Sequence, residues 1–249
     1  MRKEYEVACS LCNLPAKLSK DWPFRIVLKI CSRLLTCSEQ MKKYYSKEFA
    51  VRSGKISVMP NWVNTEKLRI EKRKAGNTIL FLHWLSERKG TRILPEIFSE
   101  ISSKMKDVKF IVVGEGPDFQ FLKDEFKKRE LNVEMPGAVP NKDISSYFKR
   151  ADIFINPSRE EEFGRVIIEA MAAGTVPVAI DRYGPGDIIK DKLTGRLSDL
   201  DIKQFSAIIL QLLTDKRQRE LLSHAATYQA SKFDTKDTAK FISYQTLFY

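Results

Sequence analysis

Glu161 and Glu169 stand eight positions apart, with Phe163, Gly164 and Arg165 between them at the expected start of a helix. The first turn of a helix has no internal partners for its N–H groups. Amides at such an end attract anions and hydroxyl oxygens. One carboxylate on the loop before these amides and another inside the helix suit a polyhydroxylated, phosphorylated ligand. An isolated pair of glutamates would not carry that reading, because acidic residues near a helix N-terminus stabilise the helix dipole without any ligand.

The surrounding elements strengthen it. The run Asp152 to Asn156 reads as an apolar strand ending in an acidic loop. A helix begins near Gly164 and ends at Gly174, and Val176 to Ile180 reads as a second apolar strand. Upstream, Thr78 to Leu82 reads as a strand, Gly90 to Lys104 as a helix and Val108 to Val113 as a strand. A helix then runs to about Arg129, a short strand falls around Val133, and Asn141 to Arg150 reads as a capped helix. Regular alternation of strand and helix predicts an α/β fold, a Rossmann-like doubly wound parallel sheet. Ligands of such sheets bind at the carboxyl ends of the strands. The loops after Leu82, Val113, Val133 and Asn156 are therefore the candidate site. Past the sheet the pattern turns helical over Asp201 to Leu213, Asp215 to Ser231 and Thr235 to Tyr249.

Composition narrows the partners. The 249 residues are 43% hydrophobic and 30% charged, as in a soluble globular α/β protein. A net charge of +11 favours anionic partners: nucleotide phosphates, acidic lipid surfaces or nucleic acid. Nucleic acid is excluded from the reading because no helix-turn-helix, zinc-finger or aromatic RNA-binding signature accompanies the charge. No apolar run reaches the roughly 18 residues of a membrane span, and the first residues lack the apolar core of a signal peptide. Of the four cysteines, at 9, 12, 31 and 37, only the first two have close spacing, which points to reduced thiols rather than a zinc site. The expected location is cytoplasmic, peripheral on the inner face of a membrane.

The combination of Glu161, Glu169, Gly164 and the Ala172-Ala173-Gly174 exit resembles the E-x7-E signature of retaining glycosyltransferases with a GT-B fold, most closely the GT4 family. The resemblance covers roughly Leu34 to the C-terminus. It implies transfer of a sugar from a nucleotide-sugar donor to a lipid-linked or polysaccharide acceptor, with no metal or other cofactor. It also implies residue roles. Glu161 faces the transferred sugar, and Glu169 binds the ribose hydroxyls. Lys89, in the pair Lys89-Gly90, meets the donor diphosphate, aided by Arg88 and Arg165. The amides of Phe163, Gly164 and Arg165 hold the donor, Gly114 approaches it through the backbone, and Val139 contacts the base through its main chain. Tyr183 to Asp187 either borders the donor pocket or is a simple turn. The sequence departs from the family at His83-Trp84, where a Gly-Arg pair is usual. With Trp84 unable to donate a bidentate pair, phosphate neutralisation falls on Lys89.

The resemblance also divides the chain. Residues 1–64 are expected to be the end of an acceptor-side domain plus a hinge at Pro60 to Asn64. Residues 65–232 are expected to form the donor domain, and 233–249 a C-terminal helix packing back toward the N-terminal part. Such a short first part implies an acceptor-domain subunit, or a longer protein. The alternative is a non-catalytic nucleotide-sugar-binding or scaffold subunit. Finally, Trp22 to Leu35 reads as a helix with Arg25, Lys29 and Arg33 in a basic stripe, suited to an anionic membrane or to packing on a sheet.

Overall fold

Strands that are apolar at every position belong where both faces of a sheet are covered. The computed structural model, which describes residues 8–11, 26, 28–68 and 76–235, has two such parallel sheets. The smaller joins β1 (Ala8–Leu11), β2 (Arg33–Thr36) and β3 (Ile56–Val58) in that order. The larger contains β4 (Thr78–Leu82), β5 (Lys109–Val113), β6 (Val133–Gly137), β7 (Ile153–Asn156), β8 (Val176–Ile180) and β9 (Arg196–Ser198). Their spatial order is β6-β5-β4-β7-β8-β9. The chain winds outward from β4 in one direction, then returns to the centre and winds outward from β7 in the other. β4 and β7 are therefore neighbours, paired through Ile79 with Ile153 and Leu80 with Phe154. At such a switch point the crossover connections diverge and leave a crevice at the carboxyl ends of the two central strands. The predicted fold class holds.

Side-chain alternation assigns the two faces. Ile79, Phe81, Phe110, Val112, Ile153 and Ile155 point to one layer. They pack there against α2 (Leu94–Lys104), α3 (Phe119–Lys128) and α7 (Ile202–Thr214). Leu80, Leu82, Ile111, Val113 and Phe154 point to the opposite layer, with α4 (Ile144–Arg150), α5 (Arg165–Ala172) and α8 (Lys216–Ser231). That second core continues without a break into the small sheet, through Leu34, Met41, Tyr45 and Ile56. Helix α1 (Glu39–Glu48) links the two. Ser38 caps it by accepting from the Met41 amide, and its own hydroxyl donates to the Glu162 carbonyl at 3.1 Å. The Gln40 amide donates to Asp187 in the short helix α6 (Pro185–Ile188), and Tyr44 meets Tyr183 edge to face. At the far end, the Val63 amide donates to the Phe233 carbonyl, and Thr65 donates to Asp234 through both its amide and its hydroxyl. The residues just past α8 are thereby fixed to the Asn61–Thr65 segment.

Several sequence expectations need correction. The helix expected from Gly90 begins only at Leu94, because Glu87–Lys89 and Thr91–Ile93 form single tight turns around Gly90, whose φ is +80°. The helix expected from Asn141 begins at Ile144: residues 141–143 form a turn after Pro140, and no side-chain cap bonds its start. The basic stripe does not continue to Arg33, which lies in β2. Leu34 to Thr36 pair with β1 on one side and β3 on the other, and two ladders outweigh helical periodicity. Residues 26 and 28–30 of that expected helix are helical, while 22–25 and 27, Arg25 among them, lie outside the described residues, as does the C-terminal segment beyond Thr235. Cys31 and Cys37 are buried, the Cys37 thiol donating to the Glu162 carbonyl at 3.6 Å, and no described helix is long and apolar enough to cross a membrane.

Candidate functional site

Two loops 72 positions apart in sequence meet over the crevice between β4 and β7. The first carries Arg88 and Lys89; the second carries Glu161. The Lys89 ammonium donates to Glu161 Oε2 at 2.6 Å, with both side chains largely buried. Sequence spacing cannot show this pairing; it follows from the strand order. Backbone contacts hold the loops together. The Arg88 carbonyl accepts from the Ser158 hydroxyl at 3.1 Å and the Arg159 amide at 3.3 Å. Gly90 fits so tightly that a β-carbon there would lie 2.3 Å from the Pro157 carbonyl oxygen. The first loop is also braced from β5, where Asp118 accepts from Thr91 and pairs with Arg92 at 2.6 Å.

The second loop leads into α5. Gly164 stands at its N-cap with φ of +104°, a conformation that side chains rarely adopt. Among the described residues the amides of Phe163, Gly164 and Arg165 have no acceptor. They border a cleft of about 240 Å³ lined by Cys37, Asn61, His83, Arg88, Lys89 and residues 160–166. Arg165, a cation in the first helical turn, opposes the helix dipole, which is the arrangement expected where an anion is to be held. The expected residues Glu161, Lys89, Arg88, Phe163, Gly164 and Arg165 are thus gathered in one cleft.

The remaining expected residues stand differently. Glu169, one turn into α5, is not part of the cleft wall; Arg165 approaches its carboxylate to 3.7 Å. Val139 packs its side chain against the core, leaving its main chain as the available contact. Gly114 has a structural reason to be glycine, since a β-carbon would lie 1.9 Å from the His83 carbonyl oxygen. Gly116 packs equally tightly on Leu85. These glycines let the loop after β5 lie against the loop after β4. Cys37 and Asn61 escaped the sequence reading as site residues. The signals were present, in the position of Cys37 just before the Ser38 cap and of Asn61 in the Pro60–Asn64 segment.

The electrostatics are asymmetric. Burial pushes the Glu161 carboxyl up, but the His83 and Lys89 charges and the Lys89 hydrogen bond outweigh it, so its pKa lies below the ordinary value. Glu169 goes the other way: burial raises it, and Arg165 offsets only part. His83, with its side chain 7% exposed, is lowered to about 4 by burial, opposed by Glu161 and reinforced by Lys89. It is neutral at pH 7. Its ring packs beside Phe81 and Phe154.

The loop that carries Glu161 rests on Gly184. The Gly184 amide donates to the Glu161 carbonyl at 2.9 Å, and a β-carbon at 184 would lie 2.3 Å from the Phe163 α-carbon. Both atoms in conflict are backbone, so neither can rotate away. Gly184→Ala is expected to destabilise the fold by about 1–3 kcal/mol, the usual cost of overpacking. A thermal melt followed by circular dichroism reads the shift; an unchanged midpoint would contradict this packing.

Comparison with known proteins places the chain. The family model described as glycosyl transferases group 1 matches residues 63–229, and the chain belongs to that family. It is 31% identical over 160 residues to the 2-deoxystreptamine N-acetyl-D-glucosaminyltransferase of Niallia circulans, covering 63% of this chain and 41% of that protein. To the phosphatidylinositol N-acetylglucosaminyltransferase GPI3 subunit of Saccharomyces cerevisiae it is 25% identical over 197 residues, covering 74% and 44%. To the phosphatidyl-myo-inositol mannosyltransferase of Mycobacterium tuberculosis it is 30% identical over 159 residues, covering 61% and 42%. The chain thus spans less than half the length of these curated relatives. Among solved structures, Anabaena HepE in complex with UDP and glucose superposes with a TM-score of 0.85 at 18% identity, over 97% of this chain and 71% of that one. A sucrose-phosphate synthase from Thermosynechococcus elongatus gives 0.83 at 17%, over 98% and 68%. These likenesses establish the GT-B type of fold.

Proposed function

We propose that the chain carries the donor-binding half of a retaining glycosyltransferase. The carrying observation is that Lys89, Glu161 and the free amides of residues 163–165 converge on one cleft within the family-matched segment. In this reading the donor diphosphate lies between the Lys89 ammonium and the N-terminus of α5, with Arg88 and Arg165 adding charge. As the glycosidic bond to the diphosphate breaks, negative charge grows on the leaving phosphate. Fixed donors aimed at that position stabilise it without reorganisation. Glu161 faces the sugar, Glu169 accepts from the ribose hydroxyls by charge-assisted bonds, and the main chain at Val139 meets the base.

The N-acetylglucosaminyl- and mannosyltransferase names of the relatives and the UDP complex of HepE support a nucleotide-sugar donor, and the phosphatidylinositol in two of those names supports a lipid-linked acceptor; the donor is UDP- or GDP-linked in this reading. The yeast relative is described as one subunit of a phosphatidylinositol N-acetylglucosaminyltransferase, which supports an acceptor-side partner here. Residues 1–64 then close the acceptor-side domain, 65–232 form the donor domain, and 233–249 return toward the N-terminal part. The reaction needs no metal in this reading. In this reading the protein is cytoplasmic, and the net charge of +11 supports its attraction to an anionic membrane surface.

Calorimetric titration with UDP-glucose, UDP-N-acetylglucosamine and GDP-mannose tests the donor site. One donor should bind, and Glu169→Ala should weaken it by roughly tenfold, the worth of one bond to a charged acceptor. Because the Glu169 carboxyl is raised, wild-type affinity should also decline as pH falls through its titration. No binding by any donor would favour a scaffold subunit instead.

A further inference from the structure

Proteins seldom bury a polar atom without a partner, and each exception calls for an explanation. His83 Nε2 is such an atom: it is buried, and no described residue hydrogen-bonds it. His83 is among the residues lining the same cleft as Lys89 and Glu161, and Glu161 Oε2 lies 4.0 Å from Nε2. That separation is too long for a hydrogen bond.

The two atoms complement each other. A carboxylate facing Nε2 favours the tautomer that carries its proton on that nitrogen. Nε2–H is then a donor, and Oε2 is an acceptor held in place by Lys89 at 2.6 Å. An oxygen placed roughly 2.8 Å from each would subtend about 90° between them. A hydroxyl meets both demands at once, accepting from His83 and donating to Glu161. A carbonyl or phosphate oxygen could satisfy His83 only, and an ammonium could satisfy Glu161 only.

We infer that His83 and Glu161 together form a clamp for one hydroxyl of the transferred sugar, with His83 as a sugar-binding residue that reads the orientation of that hydroxyl. The inference rests on the donor-site reading above and deepens it. Several features support it. His83 is neutral at working pH, so it adds no charge beside Lys89 and does not compete with it for the diphosphate. Its ring is fixed by Phe81 and Phe154, and its amide is tied to the Val113 carbonyl at 3.2 Å. A donor pre-set in this way loses little freedom on binding. The clamp also accounts for an imidazole at the end of a central strand, where the family resemblance has glycine.

The test compares each nucleotide-sugar with its own nucleoside diphosphate, UDP-N-acetylglucosamine with UDP and GDP-mannose with GDP, by calorimetry. In the wild type the sugar should add to the affinity of one pair. His83→Ala should erase about tenfold of that increment while leaving the nucleoside diphosphate within about twofold, and His83→Gln, which keeps a donor, should recover part. A spectroscopic measurement on the wild type guards against misfolding of the variants. The chain has two histidines, and His224 lies apart from the cleft on α8, so the side-chain 15N resonances are readily told apart. The nucleotide-sugar should shift the His83 Nε2 resonance beyond the shift caused by the nucleoside diphosphate, with His224 unmoved. An unchanged sugar increment in His83→Ala, or identical His83 spectra with the two ligands, would overturn the clamp while leaving the donor site standing. Failure of the wild type to bind any nucleotide would overturn both.

Discussion

Lys89→Ala should cost about 3–5 kcal/mol of folding stability at neutral pH, because it leaves the buried Glu161 carboxylate without its cation. The size of the loss comes from desolvation rather than from the strength of the ion pair. A charge removed from water must be compensated locally, and truncating one partner strands the other. Two corollaries separate this account from a general packing defect. The double variant Lys89→Met/Glu161→Gln, with both charges gone and volume retained, should lie much closer to wild type. In Lys89→Ala burial then dominates at Glu161 and its pKa rises, so the deficit is greatest above that raised value and shrinks as pH falls and the carboxyl protonates. Urea unfolding at pH 7.5 and pH 5 reads both. Equal losses in the single and double variants would contradict the argument. Either variant should also lose most of the diphosphate contribution to donor affinity.

The second large effect concerns acid. His83 titrates near 4 in the folded chain against 6.5 as its ordinary value. Between these values the unfolded chain binds a proton that the folded chain does not, so stability is fully present above 6.5 and is lost as pH falls toward 4. The whole shift corresponds to roughly 3 kcal/mol, of which about 2 kcal/mol should be lost between pH 7 and pH 5. His83→Gln removes this contribution, so the variant should show a shallower stability slope over that interval. Glu161, whose carboxyl is held low, adds a loss that begins below its unfolded value near 4.5 and is common to both proteins. Equal slopes in wild type and variant would place His83 in a wetter environment than the one described.

Much of this arrangement was legible in the sequence, because it depends on local pattern. The strand–loop–helix–strand run around Glu161 and Glu169 specifies its own elements, and Gly164 marks the helix start to the residue. The apolar runs at Thr78–Leu82 and Val176–Ile180 are strands buried on both faces, and they read that way directly. What was not legible depends on which strands become neighbours. The Lys89–Glu161 pair and the isolation of His83 Nε2 arise from the β4–β7 adjacency, and the seat of Gly184 under Phe163 from the β7–β8 adjacency, neither of which strand spacing encodes. In the sequence His83 stands out only through the departure at His83-Trp84; the packing of Phe81, Phe154 and Glu161 around it reveals an unsatisfied buried nitrogen. Where local pattern and tertiary pairing conflicted, pairing won. Arg33 sits at helical spacing from Lys29, yet the ladders on both sides of β2 place it in a strand.

The central claim is that a diphosphate is held between Lys89 and the N-terminus of α5. The measurement that tests it most directly is a titration of the 15N-labelled wild-type chain with UDP, and separately with GDP, followed through backbone amide resonances. The account predicts that the amides of Phe163, Gly164 and Arg165 shift farthest, in slow or intermediate exchange, and that Lys89→Ala abolishes those shifts at the same ligand concentration. Shifts centred instead on the cleft at the opposite end of the sheet, around Gly76, Glu134 and Arg150, with residues 163–165 unmoved, would contradict it.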